Sequence, residues 1–250
     1  MYMKTFCDLI AQGPQLGLGI MYPSPGIIER IGPDWDWIWI DGQHGELEYN
    51  DILTAVRACN LIKRPAVVRV PSHEQGRIGK AMDTAAEGLM VPVVESAEQA
   101  ERIVKAAKFF PQGGRSYGGR RPIDLFGRGY AHNNQPLVIC QIETDEGIKN
   151  VDAIAAVDGV DVLFFCVDDL AIQRGLKTSE PRSNKYFNEE LKAVVNAAKA
   201  NGKICGGVFP TPEVLLYAVK LGCRLNVVTA DAMLLAKGSR EKAKSARLCI

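Results

Sequence analysis

Apolar and polar positions along this chain repeat one unit: a short apolar run, a polar turn, then a stretch with the helical period. Strand-length apolar runs fall at 16–22, 35–41, 66–70, 89–94, 137–143, 160–166, 204–209 and 225–229. Between them the pattern predicts helices over 50–59, 75–86, 97–109, 146–156, 189–200 and 212–221. A last helix, 232–246, gathers Lys and Arg near its end, which suits the helix dipole. In 97–109, Ala100, Ile103, Val104 and Ala107 fall on one stripe. Gly88, Gly202 and Gly222 follow predicted helices, where a left-handed cap is wanted. Several of the strand runs, 35–41 above all, are nearly continuously apolar, as strands buried on both faces of a parallel sheet are.

Eight βα units in succession predict an α/β fold, a (β/α)8 TIM barrel, because right-handed crossovers leave few other closures. The rival is an open doubly wound sheet. It lacks a GxGxxG after the first strand, since Gly17-Leu18-Gly19 lies within that strand, and neither a P-loop nor an HExxH occurs. Residues 1–250 read as a single barrel domain. Its one long segment without regular pattern is a Gly- and Arg-rich loop at 111–135, carrying Arg115, Arg120, Arg121 and Arg128. A loop of that length is expected to cover the active site or contact a subunit.

Composition narrows the function classes. Lys+Arg 30 against Asp+Glu 29 leaves no field to attract nucleic acid or an anionic membrane. The apolar runs are too short to span a bilayer, and the first residues lack a signal-peptide core, so a cytoplasmic location is expected. Seven cysteines are dispersed with no CxxC pair, which predicts reduced thiols packed as small hydrophobes.

A barrel collects the residues at the carboxyl ends of its strands into one bowl. Those positions hold Asp41 and His44 after the second strand, Arg69 at the end of the third, and Glu95 past the fourth. Gln141 and Glu143 come from the fifth, Asp168 and Asp169 follow the sixth, and Asp231 follows the eighth. Glu143 and Asp169 could hold a hard divalent cation such as magnesium, which takes one or two carboxylates. Arg69 offers a fork for a carboxylate, and His44 suits proton transfer near neutrality. Cation, carboxylate clamp and base together describe a site for enolising a 2-oxo acid. Each residue also has a plainer reading. Arg69 could be a surface cation, Glu143 a helix-start acid, and Asp169 a turn residue. Glu95 and Asp231 read as turn or cap residues, and His73 and His132 as solvated. Asp83, after the third strand, could reach a neighbouring subunit's site.

Five segments carry a family resemblance: 36–45 (DWIWIDGQHG), 65–70 (PAVVRV), 91–94 (VPVV), 141–144 (QIET) and 159–161 (GVD). In this order they resemble the HpcH/HpaI aldolases, which include 4-hydroxy-2-oxoheptanedioate and 2-dehydro-3-deoxyglucarate aldolases. The resemblance runs from about Leu16 to Asp231. It implies a barrel of the phosphoenolpyruvate/pyruvate superfamily, a homo-oligomer (often a hexamer), and a class II retro-aldol reaction using Mg2+, Mn2+ or Co2+. By it, Glu143 and Asp169 match metal ligands and Arg69 the pyruvate-binding arginine. His44 matches the proton-transfer residue, Asp41 the acid that supports it, and Gln141 a polar residue beside the metal.

The expected activity is cleavage of a 4-hydroxy-2-oxo acid to pyruvate and an aldehyde. No strand-end lysine stands out for a Schiff base. The alternatives are a related lyase on an acyl-CoA or oxaloacetate, and a non-catalytic barrel that keeps metal or 2-oxo-acid binding. Two departures bear on the choice. Gln43 replaces the usual acid before the histidine. Cys166-Val167-Asp168-Asp169-Leu170 replaces the usual Gly-Pro-x-Asp-Leu, so the turn's backbone should approach the metal less closely. Asp168, if it faces the bowl, should disfavour anionic aldehydes.

Overall fold

The computed structural model describes residues 2–133, 135–177 and 187–250. Eight parallel strands close into a barrel in sequence order, the eighth pairing back onto the first. They are β1 (Gln15–Ile20), β2 (Trp37–Asp41), β3 (Ala66–Arg69), β4 (Gly88–Val91), β5 (Leu137–Ile142), β6 (Val162–Phe165), β7 (Ile204–Val208) and β8 (Leu225–Ala230). The helices are α1 (Tyr2–Gln12), α2 (Pro25–Ile31), α3 (Tyr49–Leu61), α4 (Gln75–Met82), α5 (Ala97–Ala107), α6 (Arg120–Phe126), α7 (Tyr130–Asn133), α8 (Asp145–Lys149), α9 (Val151–Ala156), α10 (Val167–Gln173), α11 (Asn188–Ala200), α12 (Pro212–Leu221) and α13 (Asp231–Arg247).

Strand alternation sorts the core into two shells. In β2, Trp37 and Trp39 join the barrel interior with Val67, Met90, Ile139, Phe164 and Val227, while Ile38 and Ile40 pack under the helices. Trp39 meets Phe164 edge-on at 6.2 Å between ring centroids. The amino-terminal end is closed by α1, whose Phe6 and Ile10 are buried in that interior cluster, Phe6 against Trp37. The opposite end is lined by polar side chains.

The structure departs from the sequence pattern where side chains claim the backbone. The helix expected over 146–156 is two, broken at Asn150, whose amide bonds Glu95 O at 2.7 Å and Glu146 at 2.8 Å. The helix expected to run to 109 ends at Ala107, because Lys108 is extended and its ammonium meets Asp161 at 2.7 Å. Gly202 and Gly222 do have positive φ at helix ends, but Gly88 lies in β4, where a Cβ would come within 2.9 Å of Val67. Segment 111–135 contains α6 and α7 and docks through Phe109, Tyr117 and Tyr130, with Arg115 on Asp83 at 2.9 Å. None of the seven cysteines forms a disulfide. No described helix is long and apolar enough to cross a membrane.

Candidate active site

Register places the site. Asp41 is paired with Arg69 across β2 and β3, and Gln141 with Phe164 across β5 and β6. Asp41, Arg69, Gln141 and Glu143 are all buried, at 1%, 6%, 0% and 2% exposure, so each must find partners at the barrel mouth. Arg69 donates from Nε to Asp41 Oδ1 at 2.8 Å and from Nη2 to Oδ2 at 2.5 Å. Its Nη1 reaches Gln141 Oε1 at 3.5 Å, and its guanidinium lies 4.5 Å from the Trp39 ring centroid. Burial pushes the Asp41 carboxyl up, but the Arg69 bonds and charge outweigh it and hold the carboxyl below its ordinary value.

This geometry corrects one expectation. Asp41 was expected to orient the His44 ring. Its carboxylate instead grips Arg69 and accepts the main-chain N–H groups of Gln43 (3.0 Å) and His44 (3.2 Å). Asp41 shapes the turn that carries His44; the ring itself is exposed and makes no hydrogen bond among the described residues. Arg69 is likewise not a free fork. Asp41 occupies its Nε/Nη2 edge and Gln141 Oε1 stands 3.5 Å from Nη1, so an incoming anion would share the outer Nη1/Nη2 edge with Gln141.

Glu143 stands just past β5. Its Oε1 accepts the Val93 N–H at 2.8 Å. Val93 makes its contact from φ +53, a costly conformation for a β-branched residue of the kind that clusters at functional sites. Burial, then the nearby Asp169 charge, pushes the Glu143 carboxyl up to about 7. Asp168 and Asp169 lie in the first turn of α10, Asp168 half-buried and Asp169 exposed. The sequence pattern predicts a turn there. Cys166 is extended (φ −122, ψ 126) and Val167 begins a helix, so no positive φ is needed without the glycine. Burial strongly raises the pKa of the Cys166 thiol, which accepts Gln141 Nε2 at 2.9 Å.

Other expected residues have structural roles. Asp231 is fully buried and accepts the main-chain N–H groups of Met21, Tyr22 and Ala232, tying the end of β8 to β1. Asp83 pairs with Arg115 of its own chain. The main chain of Glu95 accepts Asn150, and His73 and His132 are exposed. Sequence reasoning missed Trp39 beneath Arg69, the Val93 N–H, and the Cys166 thiol. Trp39 and Cys166 share one legible signal, an inward parity on a strand or at its end.

No described cluster of three or more His, Cys, Asp and Glu could hold a metal. Two carboxylates, one held near neutrality by burial and by the other's charge, do suit a hard cation that completes its shell with water and substrate oxygens.

Residues 26–236 match the family model described as HpcH/HpaI aldolase/citrate lyase. The chain is 36% identical over 246 residues to a 4-hydroxy-2-oxovalerate aldolase of Novosphingobium aromaticivorans, covering 95% of this chain and 92% of that one. It is 31% identical to a 5-keto-4-deoxy-D-glucarate aldolase of Salmonella arizonae, covering 94% and 93%. It also superposes on an HpcH/HpaI aldolase/citrate lyase family protein of Burkholderia cenocepacia with a TM-score of 0.84 at 29% identity, covering 94% and 95%. Fold and sequence agree: the chain belongs to the HpcH/HpaI aldolase/citrate lyase family.

Proposed function

We propose that this enzyme is a divalent-metal-dependent aldolase that cleaves a 4-hydroxy-2-oxo acid to pyruvate and an aldehyde. The observation that carries the reading is the buried Glu143 at the end of β5, with Asp169 in the first turn of the next βα unit, at the same barrel mouth as the buried Arg69. Glu143 and Asp169 would hold Mg2+, Mn2+ or Co2+. When bound, the cation supplies Lewis-acid polarisation of the 2-oxo group.

The chain's own residues do the rest. Arg69, braced by Asp41 and stacked on Trp39, presents Nη1 and Nη2 to the substrate carboxylate. Gln141 lies beside that carboxylate. His44 takes the proton from the C4 hydroxyl; the C3–C4 bond breaks, the aldehyde leaves, and C3 is reprotonated to give pyruvate. Asp168 adds negative charge at the mouth and favours neutral or hydroxylated aldehydes over anionic ones. The enzyme works as a homo-oligomer. Supporting this, α13 is exposed from Met233 onward, with Met233, Leu234 and Leu235 facing solvent.

The test is pyruvate release from a panel of hydroxy-oxo acids with Mg2+, Mn2+ or Co2+. Release that needs the cation and is faster for substrates yielding neutral aldehydes is expected. Release persisting after chelation contradicts the metal role. A preference for anionic aldehydes unchanged in Asp168→Asn contradicts the role of Asp168.

A further inference from the structure

The connection from β4 to α5 bends where its sequence disfavours bending. Val91 ends β4 and is still in register with β5, opposite Cys140. Pro92 follows and has no N–H with which to continue the ladder. Val93 then takes φ +53, a region that a β-branched residue enters only at a cost. Burial of its isopropyl group does little to offset that cost, since Val93 is 41% exposed. The gain lies in the main chain. Val93 N–H donates to Oε1 of the buried Glu143 at 2.8 Å, and Val94 N–H donates to Gln141 O at 3.2 Å. In an extended strand consecutive N–H groups point to opposite sides. The left-handed turn at 93 instead brings two successive donors onto the end of β5.

We propose that Val93 is a positioning residue: its main-chain N–H, aimed by the left-handed backbone, holds the Glu143 carboxylate in place for the divalent cation. The inference rests on the reading of Glu143 as one of the cation's ligands. The terminal torsion of a glutamate is broad, so an unrestrained carboxylate loses rotational freedom when it binds a metal. The Val93 N–H removes part of that freedom beforehand. It fills one of about four acceptor positions on the carboxylate, so room for a cation remains. The role needs the N–H and a residue that tolerates positive φ, not the isopropyl group. Glycine and asparagine meet both conditions, and proline meets neither.

Mn2+ binding to the full chain without substrate, read from the paramagnetic resonance of free Mn2+, tests this apart from activity. The decisive form carries the α-hydroxy analogue of valine at 93, which turns the amide into an ester and deletes the N–H while keeping the isopropyl group. It should bind Mn2+ about 10- to 100-fold more weakly than wild type, the usual cost of losing a hydrogen bond to a metal ligand. Val93→Gly and Val93→Asn keep the N–H and should bind as wild type does. An ester form with wild-type affinity overturns the proposal even if it unfolds at a lower temperature, because a purely structural bond would move stability alone. Val93→Gly and Val93→Asn both as weak as the ester would overturn it too, by assigning the effect to the side chain. Mn2+ binding undiminished in Glu143→Gln would instead overturn the ligand assignment, and the proposal with it. If the ester form does not fold, hydrogen exchange at the wild-type Val93 amide supplies the readout. That amide should be protected before any cation is added, and an unprotected one overturns the proposal.

Discussion

Arg69 and Asp41 behave as one unit: an ion pair 8% and 2% exposed at the side chain, with two parallel hydrogen bonds. Removing one partner of such a pair typically costs about 3–5 kcal/mol, because the other is left buried and charged. Arg69→Lys keeps the charge but loses the fork. It should raise KM for the 2-oxo acid and lower kcat, each by tenfold or more, on the order of the 1.4 kcal/mol that one good hydrogen bond supplies. Unchanged values of both would reduce Arg69 to a structural role. His44→Ala should lower kcat by roughly a hundredfold or more, as the loss of an acid–base group does, while Mn2+ affinity stays at the wild-type level. Full turnover in that variant would remove His44 from the mechanism. Both residues were legible in the sequence because they end or follow strands. Their partners were not. Asp41 and Arg69 are 28 positions apart and meet only once β2 and β3 are in register.

At the scale of elements, the strands were legible because most of them are short, buried and largely apolar runs. The short helices were not. Pro122 and the flanking Gly119 and Gly127 hide the seven-residue α6, and α10 begins inside a Val-Asp-Asp sequence that reads as a turn. Helices of that length are made by tertiary contacts, not by their own propensity. The joint between β3 and β4 carries a buried acid that no pattern announced. Glu87 is 6% exposed, accepts the Ala66 N–H at 2.9 Å, and is pushed up by burial to about 7 from an ordinary 4.5. Because its folded pKa lies above its unfolded one, its contribution is fully present below about 4.5 and is lost as pH rises through about 7. Glu87→Gln keeps the acceptor for Ala66 and removes the charge. It should stabilise the protein by roughly 1–3 kcal/mol at pH 8 and leave it unchanged near pH 4. Thermal unfolding at the two pH values checks this; an equal shift at both would show that ionisation of Glu87 is not the cause.

For the whole molecule, barrel closure follows from eight repeated units, but the interior plug does not. The helix that closes the amino-terminal end, α1, precedes the first unit and shows its role only when Phe6 and Ile10 meet Trp37. At the carboxyl end, α13 leaves the barrel after the anchoring residue Asp231 and stays exposed. Mass measurement in solution should give a multiple of the 27.3 kDa chain, and Leu234→Glu with Leu235→Glu should lower it. A monomer in the wild type would contradict assembly through this helix. The central claim, a cation held by Glu143 and Asp169 beside an arginine that clamps a 2-oxo acid, is tested most directly without knowing the aldehyde. The measurement is proton NMR of pyruvate in deuterated water, following exchange of the methyl protons. Exchange should require Mg2+, Mn2+ or Co2+, stop on chelation, and be lost in Glu143→Gln. Methyl exchange that continues after chelation, or none with any of the three cations, would contradict the account.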